Sequence, residues 1–237
     1  MKNSSNIFRN SLLLQLGHPI KGVKIRYTTD GSEPDSINSP IFKSQPLLKK
    51  FTIVKAKAYK LGWLGSDLVA FNLYKNTYKP DSVILLSPLN SRHMANGNKT
   101  FFDGQLGTFN ANSPASATHW AGFSKNDLAV LLEYKEPVTI SSVALNMLIE
   151  PETIIFPPSS IEIWGGATKA QMRLITTVNP IRPKQESKPF IQVADCKFQA
   201  RKISYLKIIA KPLKKLPDWN KKKGKPALLL VDEIFIN

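Results

Sequence analysis

The chain has 237 residues and carries 33 Lys and Arg against 17 Asp and Glu, a formal net charge of +16. Apolar residues make up 42% of it, enough for the core of one large domain or two small ones. The apolar runs are short and broken by turn residues, which predicts an all-β protein and argues against a membrane-spanning helix.

The excess of positive charge favours polyanionic partners such as nucleic acids, anionic polysaccharides or acidic surfaces. The sequence has no zinc-finger spacing, RNA-recognition signature or long basic helix, so we expect no nucleic-acid partner. The densest basic run, Lys221–Lys225, is typical of a solvated loop. The single cysteine, Cys196, excludes an intrachain disulfide and a covalently attached c-type haem.

The N-terminus resembles a signal peptide only superficially. Lys2 and Arg9 precede the apolar run 12–14, but this run is too short for a signal sequence and Gln15 interrupts it. A β-strand is the better interpretation. We therefore expect either that the natural protein begins upstream or that this chain is an excised segment.

Apolar and polar residues alternate in the first part of the chain, a pattern typical of the strands of a small β-sandwich. Strands are predicted over residues 12–16, 23–27 and 51–59, the last with alternate residues on a buried and a solvated face. The segment 25–34 is a strand that enters a tight turn, because Asp30 and Gly31 tolerate the turn conformation and Pro34 ends the pairing.

This segment, with residues 39–42, 54–59 and 62–66, resembles the small β-sandwich at the C-terminus of chitobiases and β-hexosaminidases. The resemblance implies an immunoglobulin-like or fibronectin-III-like β-sandwich over residues 1–76. The polar stretch that follows ends in a Pro-Asp turn, which predicts a linker at 77–82 and a second domain at 83–237.

The second domain is again predicted as strands, at 128–134, 138–148, 160–164, 202–210 and 227–236. Residues 102–104, 120–123, 156–158, 216–220 and 231–234 carry a resemblance to discoidin, or coagulation factor 5/8 C-type, domains. It implies a galactose-binding-like jelly-roll β-sandwich. The two resemblances together are typical of Bacteroidetes-type glycoside hydrolases and related multidomain proteins.

No catalytic constellation is predicted. Asp232 and Glu233 are adjacent, as the catalytic pair of a hexosaminidase is, but they lie in a predicted strand. Consecutive strand side chains point to opposite faces, so the two carboxylates should not share a substrate. The three histidines show no metal or triad spacing. The chain is therefore predicted not to be an enzyme, and any catalytic domain would lie upstream of it.

The discoidin resemblance implies one structural calcium ion. Its ligands would be the carboxylates of Asp103 and Glu233, the hydroxyl and carbonyl of Thr108, and the main-chain carbonyls of Thr100, Gln105 and Asp232. Calcium takes six to eight hard oxygen ligands, which such a loop supplies. The alternative is that Asp103 and Gly104 form only a β-turn and that Glu233 pairs with a lysine.

Glycan-binding domains of this type place aromatic faces and polar side chains on loops at one end of the sandwich. The candidates are Arg92, His93, Asn112, His119 and Trp219. Trp120 is instead predicted to pack in the core. Related domains tend to carry tryptophan where this chain has Ile154 or Ile155 and Leu228, and histidine where it has Asn220.

The expected function is a non-catalytic carbohydrate-binding or targeting module pair, with an anionic polysaccharide as the preferred ligand. The pair would form the C-terminal part of a periplasmic or extracellular glycan-degrading protein. Two alternatives stay open: a structural spacer or docking domain of a larger enzyme or haem protein, and a protein–protein adhesion module.

Overall fold

The computed structural model describes residues 2–109 and 119–237. Within them the chain is almost entirely β-structure, as predicted, with two short 3₁₀ helices. It divides into two compact units, Met1–Thr77 and Tyr78–Asn237. No helix in the described ranges is long and apolar enough to cross a membrane.

The first unit is built from two small sheets. Its strands are β1 (Ile7–Phe8), β2 (Leu12–Leu13), β3 (Lys24–Thr28), β4 (Leu47–Leu48), β5 (Thr52–Tyr59) and β6 (Val69–Lys75). One sheet has the order β1-β6-β5-β3, and β2 pairs with β4 in the other. Leu14, Leu48 and Val54 form part of a shared core. The predicted alternation of β5 is confirmed over residues 52–57, since Thr52, Val54 and Ala56 are buried and the residues between them are half-buried, whereas Ala58, predicted on the buried face, is half-buried.

The predicted turn after β3 is present. Gly31 has a φ of +83°, a conformation that glycine adopts without strain. The Asp30 carboxylate accepts hydrogen bonds from the backbone N–H of Ser32 at 3.0 Å and from its hydroxyl at 2.6 Å. Residues 25–34 therefore form a structural corner of the first unit.

The second unit contains seven strands among its described residues. They are β7 (Ser82–Leu85), β8 (Ala121–Phe123), β9 (Leu128–Ile149), β10 (Ser160–Gly166), β11 (Arg173–Val178), β12 (Phe190–Lys211) and β13 (Leu229–Ile236). The 3₁₀ helices span Gly97–Phe102 and Lys169–Gln171.

The two 22-residue strands β9 and β12 run through both layers of a sandwich. The first half of β9 pairs with β7 and with the second half of β12, whereas its second half pairs with β13 and with the first half of β12. Register shifts near residues 197–205 of β12 allow the bend between the layers. Both halves bury side chains in one core, for example Val130 and Leu145 of β9. This is the predicted jelly-roll type of β-sandwich.

Several sequence-based boundaries differ from the structure. The predicted strands 128–134 and 138–148 are one continuous strand, and β12 begins twelve residues before the predicted residue 202. Most of the predicted linker belongs to the second unit, because the Tyr78 N–H donates to the Ile236 carbonyl at 3.1 Å and the Asp81 N–H to the Glu133 carbonyl at 2.9 Å.

Candidate functional site

Loops at the strand ends of the second unit enclose a cavity of about 660 Å³. The loop after β7, the turn after β8, the turn after β9 and the residue before β13 form its wall. The lining residues are Asn90, Ser91, Arg92, His93, Ser124, Lys125, Thr153, Ile154, Ile155 and Leu228. The cavity therefore combines hydroxyl, amide and cationic groups with an aliphatic surface.

Backbone hydrogen bonds fix the loop after β7 against β8. The Asn90 N–H donates to the Gly122 carbonyl at 2.7 Å, and the Gly122 N–H donates to the His93 carbonyl at 2.8 Å. The Asn90 amide also donates to the Ser124 hydroxyl at 3.0 Å. A Cβ atom at Gly122 would lie 2.6 Å from the Cβ of His93, so this close approach requires glycine. The position of Arg92 and His93 is thus set by the edge of the sheet.

The charged residues that line the cavity, Arg92 and Lys125, are both cationic, and no carboxylate of the described residues lines it. Burial, with a smaller contribution from the Arg92 charge, lowers the pKa of His93 below its usual value. The His93 ring is therefore mainly neutral at pH 7. Its buried Nδ1 atom has no hydrogen-bond partner within the described ranges.

The structure brings together only two of the predicted glycan contacts. Arg92 and His93 line the cavity, whereas Trp219 and His119 do not. The Trp219 ring packs against the Phe156 ring, with centroids 5.8 Å apart, and is half-buried there. Asn112 lies outside the described residues. Trp120 is fully buried, which confirms its predicted place in the core.

Sequence reasoning missed several polar groups of the cavity, namely Asn90, Ser124, Lys125 and Thr153. They are ordinary loop residues without a recognisable spacing. The positions at which the sequence departs from the resemblance, Ile154 or Ile155 and Leu228, also line the cavity. This part of the wall is therefore aliphatic.

The predicted calcium loop packs against β13. The 3₁₀ helix Gly97–Phe102 buries Thr100, and the loop after it donates backbone N–H groups to two carboxylates. The Gly104 N–H donates to Glu233 Oε1, and the Gly107 N–H donates to Asp232 Oδ2 at 2.7 Å. Asp232 and Glu233 are both almost completely buried.

A β-bulge brings these two carboxylates to the same loop. The register of β13 against β9 pairs Val231 with Met147 and Ile234 with Leu145, which leaves Asp232 and Glu233 opposite the single residue Asn146. The prediction that consecutive side chains diverge is wrong here, because a bulge interrupts the alternation of a strand. Both carboxylates bind the loop instead of facing opposite sides of the sheet.

Burial raises the pKa of Asp232 to about 7 and that of Glu233 to about 8. For Asp232, hydrogen bonds from Gly107 and Asn146 partly oppose this effect. For Glu233, the Gly104 hydrogen bond opposes it, while the nearby Asp232 and Asp103 charges add to it. Both carboxyl groups are therefore harder to ionise than exposed ones, and a positive charge beside them would favour their ionised form.

The oxygen atoms at this loop suit a hard cation. Asp103 accepts the Gln105 N–H at 2.9 Å through Oδ1, and the Thr108 carbonyl accepts the Trp120 indole N–H at 3.0 Å. The Asp232 carboxylate is occupied by Gly107, Asn146 and Glu233 donors, and the predicted role of its main-chain carbonyl stays a prediction. In the described part of the chain, no three His, Cys, Asp or Glu side chains group as a metal site, so carbonyl and hydroxyl oxygens would have to complete the shell.

Comparison with known proteins gives one family match and several similar solved structures. Residues 14–73, within the first unit, match the Fn3-associated family. No curated protein matches the chain.

Three similar solved structures each cover about two thirds of this chain. The CBM32 of AlyQ, in complex with 4,5-unsaturated mannuronic acid, has a TM-score of 0.42 and 12% identity over 68% of this chain and 96% of that one. Chitosan-binding module 1 from the chitosanase/glucanase of Paenibacillus sp. IK-5 has a TM-score of 0.41 and 14% identity over 69% and 99%. A pectin-binding carbohydrate-binding module has a TM-score of 0.39 and 14% identity over 67% and 91%.

Proposed function

We propose that the second unit is a non-catalytic glycan-binding module and that the cavity beside Arg92 and His93 is its binding site. The observation that carries this proposal is the lining of the cavity. Hydroxyl, amide and cationic groups of the kind that recognise sugar hydroxyls and carboxylates surround an aliphatic surface formed by Ile154, Ile155 and Leu228. The first unit, with its chitobiase-type motif, would hold this module on a periplasmic or extracellular glycan-degrading protein.

The Arg92→Ala variant tests the binding site. A glycan array would first identify ligands of the full chain, and calorimetry would then compare the variant with the wild type on the tightest of them. We expect affinity to fall at least about tenfold, because a charge-assisted hydrogen bond contributes roughly 1.5–3 kcal/mol.

Arg182→Ala is the matched control, since Arg182 is an exposed arginine of the same unit that does not line the cavity. It removes the same charge and should leave affinity unchanged. Equal affinities of the Arg92 variant and the wild type would contradict the proposed site. Absence of binding to every glycan on the array would favour the spacer or adhesion role instead.

We also propose that the loop 100–108 and β13 hold one structural calcium ion, through Asp103, Glu233 and neighbouring oxygens. The support is the pair of buried carboxyl groups of Asp232 and Glu233, which lie against a loop that also carries the Asp103 carboxyl group and backbone carbonyls. The ion would neutralise these carboxylates and fix the loop against the sheet. It would take no part in a reaction.

Calcium is expected to raise the melting temperature of the second unit by about 5–10 °C when its concentration exceeds the dissociation constant about 100-fold. Glu233→Gln should abolish this increase, because the amide replaces an anionic ligand. Glu186→Gln, at an exposed glutamate of the same unit, should retain it. A melting temperature that calcium does not change, or an equal increase in the Glu233→Gln variant, would contradict the calcium site.

A further inference from the structure

A lysine-rich loop lies between β12 and β13 and is separate from the cavity lining. Residues 214–225, called the lysine loop below, contain six lysines and one acidic residue, Asp218. All six lysine side chains, those of Lys214, Lys215, Lys221, Lys222, Lys223 and Lys225, are exposed. None of them forms an ion pair with a carboxylate in the described part of the chain. This loop therefore concentrates unneutralised positive charge.

Hydrogen bonds within the lysine loop give its backbone a defined conformation. The Leu216 N–H donates to the Lys225 carbonyl at 2.9 Å, which closes the loop at its base. The Asn220 side chain accepts the Lys222 N–H at 2.7 Å, and the Asn220 N–H donates to the Pro217 carbonyl at 3.0 Å. The lysines are thus presented on a folded segment. Like charges held this close repel one another, and an anionic ligand relieves that repulsion.

The lysine loop shares a wall with the cavity. The buried Asn220 amide donates to the carbonyl of Pro151 at 2.7 Å and to that of Thr153 at 2.9 Å. Thr153 lines the cavity, and Ile154 packs both with the cavity wall and with the cluster that holds Trp219. The lysine loop therefore adjoins the cavity wall at residues 151–154.

We propose that the second unit binds an anionic polysaccharide as an extended chain, with one end in the cavity and the following carboxylated or sulfated residues along the lysine loop. This inference rests on the proposed glycan site and specifies its ligand class. Among the described residues, the cavity lining has two cationic and no acidic side chains. The exposed acidic residues of the segment 151–154 and of the lysine loop are Glu152 and Asp218, so positive charge predominates along the cavity wall and the loop. A nucleic acid fits less well, because single-strand binding proteins stack successive bases on several aromatic rings, whereas the lysine loop has one, Trp219, which is half-buried against Phe156.

The test compares a long ligand with a short one. Calorimetry on the full chain would use polygalacturonate, digalacturonic acid and fully methyl-esterified polygalacturonate. The loop variant is Lys221→Gln, Lys222→Gln, Lys223→Gln and Lys225→Gln combined. Its control carries four Lys→Gln changes at exposed positions of the same unit, Lys135, Lys184, Lys188 and Lys202.

We expect the loop variant to bind polygalacturonate about tenfold more weakly and with a shallower dependence on salt concentration, because four ion contacts are lost. It should bind digalacturonic acid as the wild type does. The control variant should change polygalacturonate affinity much less. Equal losses in the two variants, or equal wild-type affinity for the charged and the esterified polymer, would overturn the inference.

Two further outcomes separate this inference from the proposed function. If Arg92→Ala weakens binding of both ligand lengths while the loop variant weakens only the long one, both proposals are supported. If the loop variant binds polygalacturonate more weakly but Arg92→Ala leaves that affinity unchanged, the cavity is not the glycan site and the extended path is wrong. Single-stranded DNA that binds as tightly as polygalacturonate would also overturn the choice of a polysaccharide.

Discussion

Asp232→Ala is expected to lower the free energy of unfolding of the second unit by about 3–5 kcal/mol. The Asp232 carboxylate is fully buried and accepts hydrogen bonds from the Gly107 N–H, the Asn146 amide and the Glu233 N–H. Alanine would remove this buried acceptor from all three donors, and each buried hydrogen bond that is lost without replacement costs about 1–3 kcal/mol. The loss should be visible in urea unfolding followed by tryptophan fluorescence, since three of the four tryptophans lie in this unit.

Two comparisons isolate the role of the carboxylate. Asp232→Asn retains the shape and one acceptor oxygen, so it should lose less stability than the alanine variant. Asp195→Ala removes an exposed aspartate of β12 and should change stability by less than about 0.5 kcal/mol. An Asp232→Ala variant as stable as the Asp195→Ala variant would show that the bulge and its hydrogen bonds are not what fixes the loop.

The role of Asp232 illustrates what the sequence could and could not predict. Alternation correctly identified the buried face of β5, and a short apolar run indicated the strand character of β13, because both signals depend on neighbouring residues. The bulge at Asp232 and Glu233 depends on the register of β13 against β9, which no local pattern encodes. The bulge overturned the expectation that the two carboxylates diverge, although the same residues had been selected as ligands by resemblance.

The residues of the candidate cavity could likewise be predicted only in part from the sequence. Arg92 and His93 were predicted because polar and aromatic loop residues are common in sugar sites. Lys125 and Thr153 were not, since their contribution depends on which loops meet at one end of the sandwich. Trp219 was selected for its polar, charged neighbours in sequence, but the structure packs its ring against Phe156, which lies more than sixty residues earlier. Its role as a ligand contact stays a prediction.

The second large effect is expected at Asn220, which joins the lysine loop to the cavity wall. Asn220→Ala should lower the free energy of unfolding by about 2–3 kcal/mol, because the carbonyls of Pro151 and Thr153 both lose a buried donor. Asn220→Asp should be at least as destabilising. It keeps the size of the side chain, but its carboxylate would face the two carbonyl oxygens without a hydrogen to donate.

Asn98→Ala is a suitable control, because the exposed Asn98 amide donates to one carbonyl, that of Val83, and its loss should cost less than about 1 kcal/mol. The variants would be compared by urea unfolding and by calorimetry with digalacturonic acid. If Asn220 positions Thr153, its alanine variant should weaken binding of this short ligand as well as stability, whereas the lysine-loop variant should leave both unchanged. A stable Asn220→Asp protein with wild-type affinity would mean that the loop and the cavity wall are held together by packing around Ile154 and not by the asparagine amide.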